Sequence, residues 1–123
     1  MNLPLLLVVD DEVGVRESLK IVFGKDFRLL EADSVDAALP KVRTEKPNVV
    51  LLDVLLPKTD GIELLKQIKT IHPSCEVIML TALNTRQLAD KATDSGAFDI
   101  VGKPFDVLDL RAKVNRALAK TSQ

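Results

Sequence analysis

The stretch Asn48-Val49-Val50-Leu51-Leu52-Asp53 decides how this chain must fold. Four consecutive β-branched or leucine side chains leave no polar face, so the segment reads as a strand buried on both sides. It closes on one carboxylate, which puts Asp53 where a buried strand reaches a surface crevice. Val54 to Gly61 then reads as a loop, with the turn residues Asp60-Gly61 at its far end. A carboxylate so placed is a candidate nucleophile, and the other informative residues are those that could serve it.

Working outward, Leu5-Leu6-Leu7-Val8-Val9-Asp10 repeats the pattern, an apolar run ending in acid. Val15, Leu19, Val22 and Phe23 recur on one helical face, and Gly24 is placed to end that helix. Phe27 to Ala32 is a weaker strand suited to a sheet edge. Asp33 or Ser34 can cap a second helix with the face Val35, Ala38, Leu39, Val42. Pro40 inside it removes a hydrogen bond and should loosen it. Beyond the Asp53 loop, Ile62, Leu65 and Ile68 mark a third helix, ended by His72-Pro73-Ser74. Glu76 to Thr81 is a fourth strand, closed this time by a hydroxyl. Thr85 to Ser95 is helical but thin, with Leu88 its one large apolar residue, so this helix should be the least firmly held. Phe98 to Val101 is a fifth strand leading to Gly102-Lys103-Pro104-Phe105. Asp106 caps a last helix with the face Val107, Leu110, Val114, Ala117, Leu118.

Five strands alternating with five helices predict one doubly wound α/β domain over residues 1–123, built on a parallel sheet. Such sheets bind ligands outside the carboxyl ends of their strands. Here those ends carry Asp10-Asp11, Asp53, Thr81 and Lys103.

Composition narrows the chemistry. The formal net charge is −1, which offers no electrostatic footprint for nucleic acid. The single cysteine excludes intramolecular disulfides and cysteine-built metal sites. The N-terminal apolar run is cut off by Asp10-Asp11-Glu12, so it is neither a signal peptide nor a membrane span. These features fit a cytoplasmic protein. Three carboxylates in one crevice repel each other, and a divalent cation with hard oxygen ligands, Mg²⁺, resolves the conflict. Three Asp, one Lys and one Mg²⁺ sum to about zero charge, ready for a dianionic phosphoryl group. Asp53 would attack, forming an acyl phosphate, with Thr81 and Lys103 on the phosphoryl oxygens. Each residue alone has a bland reading as a cap or turn. Their joint occurrence at four strand ends is what carries the signal.

In these residues the chain resembles the receiver domain of a two-component response regulator, from Leu5 to about Ala119. Val8-Val9-Asp10-Asp11-Glu12 matches the acidic pair. Leu52-Asp53, Leu56-Pro57 and Asp60-Gly61 match the phosphoacceptor strand and its loop. Thr81-Ala82 and Lys103-Pro104-Phe105 match the switch hydroxyl and the lysine turn. The resemblance implies a flavodoxin-like fold of strand order 2-1-3-4-5 and a cis Lys103–Pro104 bond. It implies phosphorylation of Asp53 and Mg²⁺ held by Asp10, Asp11, Asp53 and the Leu55 carbonyl. It implies a histidine kinase or phosphotransfer protein as donor. It also implies an output face on the fourth helix, fifth strand and fifth helix, where a target, an output domain or a second copy would dock. The only catalysis expected is of the chain's own phosphorylation and dephosphorylation. Gly96-Ala97-Phe98-Asp99 is similar to receivers of NtrC-type transcription regulators. One departure stands out: Ile100 lies where receivers usually carry an aromatic residue. It leaves open a second role, a phosphorylation-independent binding module. A haloacid dehalogenase-type phosphatase would want a second Asp at Leu55. A flavodoxin-like redox carrier would want aromatics, and a nucleotidase would want a glycine-rich phosphate loop.

Overall fold

Side chains alternate across each of the central strands, so runs without a polar residue must be covered on both faces. The computed structural model, which describes residues 3–56, 58–83 and 85–121, shows this directly. Five strands form one parallel sheet: β1 (Leu5–Val9), β2 (Arg28–Ala32), β3 (Val49–Asp53), β6 (Glu76–Thr81) and β7 (Asp99–Gly102). Their order is β2-β1-β3-β6-β7. With the two short strands β4 (Leu55–Leu56) and β5 (Thr59–Asp60) set aside, this is the expected 2-1-3-4-5, with β2 at an edge.

One face of the sheet sends Leu7, Val9, Val50, Leu52, Val77 and Met79 into a core shared with α2 (Val35–Glu45), α3 (Gly61–Ile71) and α4 (Arg86–Asp94). The other face sends Leu6, Val8, Leu51, Ile78 and Leu80 against α1 (Val13–Phe23) and α5 (Val107–Thr121). Ser34, of the two candidates, caps α2, accepting the Ala37 N–H at 3.2 Å. Pro40 does not end that helix: it lies on the exposed side, where water can serve the carbonyl it orphans.

Gly24 ends α1 as expected, standing at its C-cap in the right-handed region, φ −62°. Three sequence readings need correction. The segment after Asp53 is not a plain loop, because Leu55–Leu56 and Thr59–Asp60 pair antiparallel around Lys58, whose φ is +64°. Val107 is 44% exposed, because the buried face of α5 begins one turn later at Leu110. Phe27 stands just before β2 rather than in it, buried edge-on against Phe23 with ring centroids 5.8 Å apart. Pro57, part of the predicted loop motif, lies outside the described residues, as does Asn84.

α3 buries Ile62, Leu64, Leu65 and Ile68, whereas α4 buries only Ala92. At roughly 1.5–3 kcal/mol per large aliphatic side chain, this gap dominates their relative hold on the sheet. Amides of α4 are therefore expected to exchange hydrogen well before those of α3 in native buffer. Equal protection of the two helices would contradict this.

Candidate functional site

Register carries the site. Val9 pairs with Leu52 and Asp53 pairs with Leu80, so Asp10 and Asp53 emerge side by side at one sheet edge. Thr81 pairs with Gly102, which places Lys103 just beyond the same edge. The Lys103–Pro104 peptide is cis.

Lys103 Nζ donates to Asp10 Oδ2 at 2.8 Å and lies 3.4 Å from Asp53 Oδ2. Carboxylate oxygens of Asp10, Asp11, Glu12 and Asp53 fall within 4.8 Å of one another. Asp10 and Asp53 are buried, while Asp11 and Glu12 are open to water. Burial, above all, pushes the Asp53 carboxyl above its ordinary 3.8. The Leu55 amide bond pulls it back, the Asp10 charge adds to the rise, and Lys103 opposes it. Burial by itself would lower Lys103, but its hydrogen bond to Asp10 and the charges of Asp10 and Asp53 outweigh that, and the ammonium is held above 10.5.

The loop after β3 is fastened to Asp53. The Leu55 N–H donates to Asp53 Oδ1 at 3.0 Å. Gly61 begins α3 against the backbone of Asp53 and Val54, where a Cβ would come within 2.7 Å of the Asp53 carbonyl oxygen. Only glycine permits that approach. Thr81 is fully buried, and its Oγ1 accepts the Leu83 N–H at 2.9 Å. Accepting that bond leaves its own O–H to donate.

All the predicted side chains therefore reach one edge. Asp10, Asp53 and Lys103 are in contact, Asp11 completes the acidic group, and Thr81 flanks it. Leu55 enters through its amide. The sequence reading missed Glu12 as a site member, although its carboxylate is 3.7 Å from Lys103 Nζ. Adjacency to Asp10-Asp11 was the available signal. The donor set is wholly oxygen, with two buried carboxylates and a wet side. It fits a small hard cation that keeps part of its water shell, as Mg²⁺ does.

The sequence pattern of the response regulator receiver domain matches residues 6–115, and the chain belongs to that family. It is 37% identical over 114 residues to sporulation initiation phosphotransferase F of Bacillus subtilis, covering 92% of each chain. It is 37% identical to the DNA-binding transcriptional regulator NtrC of Klebsiella pneumoniae, covering 91% of this chain but 24% of that protein. Among solved structures, a CheY-like receiver domain protein from Methanospirillum hungatei superposes with a TM-score of 0.93 at 26% identity, over 98% of both chains. Among the described residues, no helix is long and apolar enough to cross a membrane.

Proposed function

We propose that this receiver domain is a phosphorylation-dependent signalling switch that takes a phosphoryl group from a phosphohistidine donor onto Asp53. The carrying observation is the Asp53 carboxylate at a buried strand end, 3.4 Å from Lys103 and grouped with three further carboxylates. An Asp53 oxygen attacks phosphorus, a P–O bond forms, and the P–N bond to the donor imidazole breaks. The imidazole leaves with the electron pair and takes a proton. Lys103 receives charge on the phosphoryl oxygens, and the Thr81 O–H donates to another. Asp10, Asp11, Asp53 and the Leu55 carbonyl would hold Mg²⁺, with Glu12 on its water side. When bound, the cation supplies charge neutralisation for the incoming phosphoryl group.

Readout follows from the lightly held α4. A weakly packed element shifts between two arrangements at small cost, so a phosphoryl group beside Thr81 biases it. The face of α4, β7 and α5 then meets an output domain, a target protein or a second copy in a cytoplasmic pathway, a transcriptional one by analogy with the NtrC relatives. Ile100, half-buried in β7 against the α4-side core, offers no hydroxyl or ring for this relay. The switch runs through Thr81 and its loop instead.

Acetyl phosphate with Mg²⁺ tests the proposal by intact mass. One phosphoryl group is expected on the wild type, and none when the metal is chelated. A second expectation concerns lifetime. Leu55 and Leu83, 53% and 58% exposed, flank the site with aliphatic side chains that cannot orient an attacking water. Changing both to asparagine should shorten the phosphorylated half-life several-fold. A half-life equal or longer would count against that role.

A further inference from the structure

The acidic cluster hangs on one peptide whose carbonyl is held from outside the constellation. Asp10 directly follows β1, and its N–H still donates to Ala32 of β2 at 3.0 Å. Its carbonyl oxygen accepts from Arg16 Nη1 in α1, at 2.6 Å. The same guanidinium gives Nε to Glu31 Oε1 at 3.1 Å, and the other Glu31 oxygen takes Lys20 Nζ at 2.7 Å. Arg16 is largely covered, its side chain 14% exposed.

The chemistry of the fork matters. Guanidinium donors are coplanar and fixed relative to one another, so the Glu31 contact sets the direction in which Nη1 points. Glu31 is itself pinned: the Lys20 hydrogen bond, against some burial, and then Arg16 hold its carboxyl below the ordinary range. A planar peptide held at its carbonyl fixes the path into Asp11. The Asp10 side chain is fixed separately, Oδ1 accepting the Glu12 N–H at 2.9 Å and Oδ2 the Lys103 ammonium.

We propose that Arg16 is a positioning residue: by clamping the Asp10 carbonyl it sets the Asp10–Asp11 peptide plane and so aims the Asp11 carboxylate, one of those that would hold the cation. This rests on the phosphoryl-transfer reading of the site. Groups that orient metal ligands from behind typically change affinity 10–100-fold when removed.

The test is Mg²⁺ titration of the full chain, followed through the amide shifts of Asp10, Asp11 and Asp53, with urea unfolding in metal-free buffer alongside. Arg16→Ala should weaken Mg²⁺ binding about tenfold or more. Arg16→Lys should recover little of it, because one ammonium cannot reproduce the fork between Glu31 and Asp10. Lys20→Ala frees one Glu31 oxygen but leaves both Arg16 contacts in place, and should weaken Mg²⁺ binding far less than Arg16→Ala. If Arg16 were only a tie between α1 and β2, its variants would lose unfolding stability while binding Mg²⁺ normally, and the positioning role would be overturned. Should Arg16→Ala not fold, Arg16→Lys decides on the same two readouts. A wild type that does not respond to Mg²⁺ removes the phosphoryl-transfer reading itself. A responsive wild type with equally responsive Arg16 variants removes the positioning role alone.

Discussion

Asp53→Asn is expected to abolish phosphoryl uptake from acetyl phosphate while making the metal-free fold more stable. The first half follows from chemistry. An amide oxygen carries no charge to attack phosphorus, and the neighbouring Asp10 is already engaged by Lys103 at 2.8 Å. Intact mass in the presence of Mg²⁺ checks it. A phosphoryl gain retained by the variant would place the acceptor elsewhere.

The second half follows from the raised Asp53 pKa. Burial is the largest cause, and the folded state therefore favours the protonated carboxyl more than the unfolded chain does. The associated stability is fully present below the unfolded value, near 3.8, and is lost as pH rises through the folded one. At neutral pH the charged Asp53 thus costs the metal-free protein stability, and a neutral amide of the same shape removes that cost. Urea midpoints in chelator should rise for Asp53→Asn at pH 7, and the difference should shrink as pH falls below the carboxyl range. A functional carboxylate held at a cost in stability is the usual relation between site and scaffold.

Asp10, Asp53 and Lys103 were legible in the sequence because topology alone carries strand ends to one edge. An apolar run closed by a polar residue needs no knowledge of side-chain direction. Residues whose roles depend on such direction were not legible. Arg16 matters because its fork meets both Glu31 and the Asp10 carbonyl, and neither contact follows from a spacing of six residues. Glu12 reads as one more acid in a turn until Lys103 is found 3.7 Å away. The β4–β5 ribbon was missed because two-residue strands are too short to show a period. Val107 was misread for the opposite reason: the apolar period runs through it, but the Asp106 cap sets the start of α5 before packing begins at Leu110. Gly61 looked like a turn glycine, and the turn position was right. Its actual constraint, close approach to the Asp53–Val54 backbone, is a tertiary fact.

Lys103→Ala should destabilise the metal-free protein strongly, and Mg²⁺ should reverse most of the loss. Asp10 is fully buried and its Oδ2 leans on Lys103, with Asp53 close behind. Removing one partner of a buried ion pair costs about 3–5 kcal/mol, because the other charge is left behind. Lys103 keeps some contact with water, which puts the expected loss near the lower figure, about 3 kcal/mol. The Lys103 pKa is raised, so its contribution is fully present below 10.5 and disappears only as pH rises through the higher folded value. A measurement at pH 7 therefore sees all of it. At the acid end, protonation of Asp53, whose carboxyl is raised above 3.8, removes one of the charges that Lys103 compensates, and the gap between variant and wild type should narrow. A divalent cation meets the same carboxylates without competition from the ammonium. The variant should therefore bind Mg²⁺ more tightly than the wild type, and saturating Mg²⁺ should close most of the stability gap in paired urea titrations. An equal loss with and without Mg²⁺ would mean that Lys103 acts through its aliphatic packing, and the electrostatic account of the site would have to be given up.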